Sequence, residues 1–137
     1  MTGFAESRRI ATVTLVVADY DEAIAWYVGK LGFALCDDIG LGDGKRWVTV
    51  TPTAGQGPRL LLAEASDDLQ KSRIGDQTGG RVVLFLETDD FARDHATMLE
   101  NGVDFHETPR HEPYGTVAVF ADLYGNLWDL IEPKRQA

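Results

Sequence analysis

The sequence predicts an α+β protein made of two tandem β-α-β-β-β modules, whose curled mixed sheets form a cleft. The first observation is a repeat: a segment of helical periodicity, bounded by Asp and Gly, runs from Asp19 to Gly32 and again from Asp89 or Asp90 to Gly102. The second is that one apolar run precedes each segment and three shorter runs follow it, as strands would. Since 137 residues is close to the ~150 of an ordinary domain, both modules are expected to form a single domain, residues 1–137.

The first module covers about residues 9–65. Polar and apolar residues alternate over Ile10–Ala18, which predicts its opening strand. Asp19 then offers an N-cap for a helix from about Asp21 to Leu31, which Gly32 ends. Three short strands are predicted after this helix, at Phe33–Asp37, Arg46–Thr51 and Arg59–Ala63.

The segment from Ser66 to Gly80 is polar and has no usable periodicity, so it is predicted to be a loop or linker. The second module then covers about residues 81–133. It opens with a strand at Arg81–Thr88, after which Asp89 or Asp90 caps the second helix. Three further strands are predicted at Val103–Thr108, Thr116–Ala121 and Leu127–Glu132.

The composition excludes some classes of partner. Thirteen basic and twenty-two acidic residues give a net charge of −9, which repels phosphate backbones and anionic lipid headgroups. We therefore expect neither nucleic acid nor membrane partners. Cys36 is the only cysteine, so neither an intrachain disulfide nor a thiolate metal cluster can form. This cysteine usage, together with the lack of an apolar leader segment, predicts a cytoplasmic location.

Several motifs resemble those of a known family. VTLVVADYDEAIAWYVGKLGF, from Val13 to Phe33, resembles the opening signature of the vicinal oxygen chelate superfamily of glyoxalases, bleomycin-resistance proteins, fosfomycin-resistance enzymes and extradiol dioxygenases. FLETDDFARDHATMLENGVDF and PYGTVAVFADLYGNLWDLIEP look like the second module of that family, so the resemblance covers about Ile10 to Pro133. It implies the fold predicted above, a small-molecule ligand in the cleft and a homodimer. The activity stays open, because this fold carries several chemistries.

The resemblance also allows a comparison of metal ligands. Metal-dependent members place ligands at four positions, on the first and last strands of each module. In this sequence the four positions fall on Thr12, Leu61 or Leu62, Val82 or Val83, and Asp129. Only the last of these has a metal-capable carboxylate, whereas a catalytic divalent ion needs about three protein ligands. The resemblance therefore predicts no inherited metal site and no cofactor.

The three histidines do not support a replacement metal site. His95 lies beside the apolar stripe of the second helix, so it is predicted to pack there or to lie on the helix surface. His106 on a short strand and His111 in a loop are predicted to be surface or cleft-rim side chains. A divalent metal at a new site is left open but has no support in the sequence.

Strand alternation predicts which side chains of the first strand face the cleft. Val13, Leu15 and Val17 form an apolar face, which should cover the helix. Thr12 and Thr14 are therefore expected to point into the cleft.

The same argument places Phe85 and Glu87 on the cleft face of the second module, joined by Asp129 from the last strand. For Glu87 a solvated strand end is the alternative, and for Asp129 a structural hydrogen bond to the backbone or to a tyrosine. Trp47, Tyr114 and Trp128 offer flat aromatic surface to a planar ligand. The predicted ligand-binding cleft contains Thr12, Thr14, Trp47, Phe85, Glu87, Tyr114 and Asp129, and no catalytic residue is assigned.

Three functions remain as hypotheses. The first is a binding protein that takes up a small planar molecule, cationic or rich in hydrogen-bond donors, without a metal. The second is a lyase, isomerase or dioxygenase that uses an improvised metal or Glu87 and Asp129 as an acid–base pair. An interaction module is a third hypothesis, with no positive sign in the sequence. The acidic composition favours binding, and the sequence leaves enzymatic activity undecided.

Overall fold

Two mixed β-sheets form the framework of the protein. The computed structural model describes residues 3–53 and 57–135. Sheet A consists of β1 (Thr12–Val17), β2 (Ala34–Gly42), β3 (Lys45–Thr51) and β4 (Arg59–Glu64), and its strand order is β1-β4-β3-β2. Sheet B consists of β5 (Leu84–Glu87), β6 (Asp104–Phe105), β7 (Arg110–Glu112), β8 (Gly115–Ala121) and β9 (Leu127–Pro133), in the order β5-β9-β8-β6, with β7 also paired to β8.

Each sheet repeats one pairing pattern. The first strand of each module runs parallel to the last, β1 beside β4 and β5 beside β9, and the other pairs are antiparallel. A helix connects the first and second strands of each module. The predicted α+β fold with two β-α-β-β-β modules is thus confirmed.

The helices are α1 (Tyr20–Gly29), the short α2 (Asp68–Ser72) and α3 (Phe91–Glu100). The Asp19 carboxylate caps α1 by accepting from the N–H of Glu22, and the Asp90 carboxylate caps α3 by accepting from the N–H of Arg93. The repeat therefore has an offset of 71 residues, from 19 to 90, and Asp90 rather than Asp89 is the second cap. None of these helices is long and apolar enough to cross a bilayer.

The structure corrects three details of the predicted elements. The linker expected to be only a loop contains α2, which Asp67 caps by accepting from the N–H of Gln70. The strand β7 was not predicted, and β5 is shorter than the predicted Arg81–Thr88. Elements of three to five residues are too short for a hydrophobic period to be recognised.

One hydrophobic cluster holds the two modules together. It includes Leu15 from β1 and Leu130 from β9, together with buried side chains of α1 and α3. The ring of Tyr27, on α1, lies 5.6 Å from that of Phe33 and 5.9 Å from that of Trp128 on β9. The helices therefore pack between the sheets, and we call the sheet faces that they cover the inner faces. The opposite, outer faces of sheets A and B point away from this core.

A buried polar contact joins the modules beside this cluster. The hydroxyl of Tyr27 donates to Asp122 over 2.6 Å, and the same carboxylate accepts from the backbone and side-chain N–H groups of Asn126 and from the backbone N–H of Tyr124. Burial, followed by the neighbouring Asp122 carboxylate, raises the pKa of Tyr27 well above its usual value. This buried carboxylate is thus fully hydrogen-bonded, as a buried charge must be.

The linker is attached to both modules. The side-chain amide of Gln77 accepts from the N–H of Val16 over 2.9 Å and donates to the carbonyl of Thr14 over 2.8 Å, so it occupies the free edge of β1. At Gly75, where φ is +78°, a Cβ would lie 2.0 Å from the carbonyl oxygen of Tyr124. The linker backbone therefore packs directly on the turn between β8 and β9.

Candidate functional site

The outer face of sheet A carries three of the predicted site residues. Thr14 of β1 lies opposite Leu61 of β4, which lies opposite Thr49 of β3. Thr12 precedes Thr14 on this face and is exposed. Trp47 is 39% exposed and lines a pocket of about 380 Å³. The rest of this pocket also comes from the first module, with Leu61, Ala63, Leu41, Glu64 and Lys45 among its lining residues.

The polar groups of this face are paired with one another. Thr49 is buried and donates to a carboxylate oxygen of Asp37 over 2.6 Å, and Arg59 donates to the same oxygen over 2.9 Å. The Asp37 carboxylate therefore has both a hydroxyl and a guanidinium partner. Around Asp37 the charges of sheet A are therefore paired, and Trp47 adds exposed aromatic surface to this face.

The outer face of sheet B carries Phe85 and Asp129, which are direct neighbours in the β5–β9 pairing. Phe85 is 64% exposed, although it is a large apolar side chain. Asp129 is only 9% exposed, and its Oδ1 atom is buried with no hydrogen-bond partner among the described residues. A buried oxygen without a partner costs about 1–3 kcal/mol. This face therefore presents an unsatisfied acceptor beside an exposed aromatic ring.

Next to Asp129 lies a charged cluster that the sequence analysis missed. Arg110 Nε donates to both carboxylate oxygens of Glu107, over 2.8 and 3.0 Å, and Arg110 Nη1 donates to Glu112 over 3.1 Å. Glu107 in turn accepts from the backbone N–H of Val119, the residue opposite Asp129. The acid–base–acid spacing of these three residues was the available signal, but it lies in a segment with no strand pattern.

The cluster and its surroundings shift the pKa values of two groups in opposite senses. Burial raises the pKa of Asp129 above its ordinary value, whereas the positive charge of Arg110 acts to lower it. The hydrogen bond from Arg110, followed in size by the opposing effect of burial, leaves the pKa of Glu107 lower than usual. Glu107 and Glu112 thus partner Arg110, while Oδ1 of Asp129 has no hydrogen-bond partner within the part of the chain that the structure describes.

The remaining predicted residues are distributed differently. Tyr114 is 54% exposed in the turn between β7 and β8, and after the Glu107 carboxylate its hydroxyl contributes to raising the pKa of Arg110. Glu87 ends β5, is exposed and makes no hydrogen bond with Asp129. It lines a crevice of about 470 Å³ between the modules, together with Lys30, Arg93 and Asp94.

Trp128 is not a cleft residue, contrary to the sequence-based expectation. It is 3% exposed and stacks on Phe120 in the core, with ring centroids 5.8 Å apart. The alternation of β9 explains this, since Trp128 and Asp129 must lie on opposite faces of one strand. The predicted site residues therefore form two groups: Thr12, Thr14 and Trp47 on the outer face of sheet A, and Phe85, Glu87, Asp129 and Tyr114 on or beside that of sheet B.

The residues at the family's metal positions do not fit a metal. Leu61 lies on the outer face of sheet A and Leu62 is buried in the core, and neither has a donor atom. Val83 packs against the core cluster. Within the described residues no group of three or more His, Cys, Asp or Glu side chains lies close enough to hold a metal ion. We therefore derive no chemistry that passes through a metal.

The histidines have other partners. His95 stacks on Phe91 and meets Phe105 edge-on, with ring centroids 5.3 and 4.5 Å apart. His106 lies 3.0 Å from a carboxylate oxygen of Asp104 at the surface, and His111 contacts the hydroxyl of Thr116. These positions agree with the predicted packing and surface roles.

Comparison with known proteins identifies the family. The profile of the Glyoxalase/Bleomycin resistance protein/Dioxygenase superfamily matches residues 9–130. The chain therefore belongs to this superfamily, as the resemblance in the sequence implied, and its fold is the vicinal oxygen chelate fold.

Individual relatives agree with this assignment. An uncharacterized protein of Shewanella frigidimarina (strain NCIMB 400) is 54% identical over 124 residues, which are 90% of this chain and 92% of that protein. The crystal structure of UcmS2 is 29% identical, with a TM-score of 0.79 over 91% of this chain and 98% of that one. TnmS3, described as an antibiotic binding protein from Streptomyces sp. CB03234, is 28% identical, with a TM-score of 0.75 over 96% of this chain and 100% of that one.

Proposed function

We propose that this protein binds a small, planar organic molecule that carries hydrogen-bond donors, and that it does so without a metal. The observation that carries the proposal is the buried, unpartnered Oδ1 of Asp129 beside the exposed ring of Phe85. A ligand N–H or O–H would satisfy this oxygen while an aromatic part of the ligand covers Phe85. The similarity to TnmS3, which is described as an antibiotic binding protein, supports a binding function over a catalytic one.

We further propose that the protein is a homodimer in which the ligand lies between two copies. The exposed apolar side chains Ile39 and Trp47 on sheet A and Phe85 on sheet B leave both outer faces open in one chain. If sheet A of one copy faces sheet B of the other, Trp47 and Asp129 come to line the same cleft. Light scattering is expected to give a mass twice that of one chain, which is 15.1 kDa. The mass of a single chain would contradict the dimer.

The ligand chemistry is tested with two named probes, naphthalene-2-carboxamide and 2-naphthylmethylammonium, by calorimetry at low salt. Both carry a flat ring and an N–H donor, so binding of at least one is expected. Asp129→Asn keeps the shape but removes the charge, and it should weaken binding by roughly 1.5–3 kcal/mol, the range for a hydrogen bond to a charged group.

Asp89→Asn is the matched control, because Asp89 is an exposed carboxylate before α3 that pairs with Arg93. It should bind both probes as the parent does. Equal affinity of the parent and Asp129→Asn would show that Asp129 is only a structural strand residue, and the proposal would fail.

The enzymatic alternative has a separate test. Glu87 and Asp129 share no hydrogen bond, and the acid–base pair considered from the sequence stays a hypothesis. Protein purified without chelators is expected to retain no stoichiometric zinc, nickel, iron or manganese. Retention of such a metal, lost in Asp129→Asn, would favour the enzyme instead. The single cysteine remains the ground on which we propose a cytoplasmic location.

A further inference from the structure

Arg110 lies on the same outer face as Asp129. Arg110 is opposite Val117 in the β7–β8 pairing, and Val117 is opposite Ile131 in the β8–β9 pairing. Ile131 and Asp129 are two residues apart on β9, so their side chains share one face. Residues that are paired across strands also share a face, and therefore Arg110 belongs to the face of Asp129.

The guanidinium of Arg110 is held in place by two carboxylates. Nε is bound by Glu107 and Nη1 by Glu112, and Glu107 is itself fixed by the backbone N–H of Val119. Nη2 donates to none of the described carboxylates. Since a guanidinium is planar and its donors have fixed directions, binding two of its nitrogens also fixes the third.

This face thus holds a hydrogen-bond donor, Arg110, and an acceptor, Asp129, that are not bonded to each other. Asp129 Oδ1 accepts no hydrogen bond from the described residues, and among these residues Arg110 forms its ion pairs with Glu107 and Glu112 rather than with Asp129. A ligand carboxylate would be repelled by three acidic side chains on this face, Asp129, Glu107 and Glu112. A simple cation would be repelled by Arg110. A neutral ligand group that has a hydrogen-bond acceptor and a donor on adjacent atoms suits both Arg110 and Asp129.

We infer that Arg110 is the second polar contact of the ligand site, and that the site recognises a planar molecule through a neutral group with adjacent acceptor and donor atoms, such as a primary carboxamide. This inference rests on the proposed function and narrows its ligand class. The ligand oxygen accepts from Arg110 and the ligand N–H donates to Asp129. Glu107 and Glu112 are positioning residues, because they act only through Arg110.

The test compares the affinities of naphthalene-2-carboxamide, 2-naphthylmethylammonium and 2-naphthoate by calorimetry. The parent is expected to bind the carboxamide at least about tenfold more tightly than either ion, since one hydrogen bond to a charged group is worth about that factor. Arg110→Lys keeps the charge and removes the planar donor fork. This variant should bind the carboxamide about tenfold more weakly than the parent and bind the methylammonium ion with unchanged affinity.

Two further variants separate recognition from structure. Arg93→Lys changes an arginine on α3 that is likewise surrounded by carboxylates, and it should leave all affinities unchanged. Glu112→Gln retains Arg110 but loosens its position, so it should reduce the preference for the carboxamide over the methylammonium ion. A merely structural Arg110 would instead weaken both probes by the same factor.

The outcomes also distinguish this inference from the proposed function. If the methylammonium ion binds, Asp129→Asn weakens it, and Arg110→Lys does not alter the carboxamide affinity, the inference is overturned and the proposed function stands. If no probe binds the parent, both are overturned. The Arg110→Lys result counts only if this variant unfolds at the same temperature as the parent. If Arg110→Lys does not fold, the test is the ratio of carboxamide to methylammonium affinity measured for Glu112→Gln.

Discussion

Asp129 and Asp38 are carboxylates whose surroundings shift their pKa values in opposite directions. Burial raises the pKa of Asp129, while the hydrogen bond from Arg46 lowers that of Asp38. Between the ordinary carboxyl pKa and the higher folded pKa of Asp129, the folded protein keeps a proton that the unfolded chain loses, so the contribution of Asp129 to stability becomes unfavourable as pH rises through that interval.

Asp129→Asn is therefore expected to be more stable than the parent at pH 7, by ~1.4 kcal/mol for each unit of pKa shift, and equal to it below about pH 3.5. Asp38→Asn should behave in the opposite sense, because its stabilising charge is present above the unfolded pKa and is lost as pH falls through the lower folded pKa. Urea unfolding across this pH range measures both differences. A gain for Asp129→Asn that persists in acid would mean that desolvation of the charge is not its source.

Tyr27 makes the buried hydrogen bond between the modules, and Tyr124 makes a comparable bond to Glu22 nearer the surface. Tyr27→Phe leaves the buried Asp122 carboxylate with one donor fewer, and it should destabilise the protein by about 1.5–3 kcal/mol in urea unfolding. Tyr124→Phe is the control and should cost about 0.5–1.5 kcal/mol. Equal losses would show that burial does not strengthen the contact between the modules.

For single residues, the sequence predicted the direction of a side chain better than its hydrogen-bond or ion-pair partners. Alternation placed Thr14 opposite in direction to Leu15, and the structure agrees, because the pleat of a strand is a local property. Alternation also assigns Trp128 and Asp129 to opposite faces, so the two could not both have lined one cleft. Only the acid–base–acid spacing indicated the Arg110 cluster, because its ion pairs depend on how the chain brings Glu107 and Glu112 to Arg110, which no periodic pattern encodes.

Among the elements, the linker is the one whose role differs most from its sequence pattern. Gly75 and Gly79 both have positive φ, +78° and +68°, but only Gly75 is crowded, by the carbonyl of Tyr124. Gly79→Ala should cost about 1 kcal/mol through its backbone conformation alone. Gly75→Ala should cost distinctly more, because the linker must also move off the second module.

Thermal unfolding of both variants measures the contribution of linker docking directly. Equal melting temperatures for the two variants would mean that the linker does not hold the modules together. The sequence could not indicate this docking, because Ser66 to Gly80 contains no apolar period and its contacts use backbone and amide groups. The two ten-residue helices, in contrast, were located by Asp19, Asp90 and the glycines that follow them.

For the whole molecule, the question is whether one chain or two complete the site. The repeat predicted two similar sheets, but which faces pack together depends on the fit of Tyr27 against Trp128, which no periodicity encodes. Because the outer faces point apart in one chain, the proposed cleft needs a second copy to bring Trp47 and Asp129 together. Mixed dimers of two damaged variants provide the test.

Trp47→Ala damages sheet A and Asp129→Asn damages sheet B. If each site uses one sheet from each copy, unfolding and refolding the two variants together should restore about one quarter of the parent's sites, since half of the dimers are mixed and each has one intact site. Calorimetry with naphthalene-2-carboxamide counts these sites. A mixture that contains no high-affinity site would show that both faces act within one chain.

The amide of Gln77 has a consequence for how the protein behaves at high concentration. By occupying Val16 N–H and the Thr14 carbonyl it takes the place of a neighbouring strand, so β1 cannot serve as a template for intermolecular β-pairing. Gln77→Ala should therefore increase aggregation with concentration more than it lowers the melting temperature, and light scattering during storage would record it. One side chain thus protects solubility at a sheet edge that other proteins cover with a whole element.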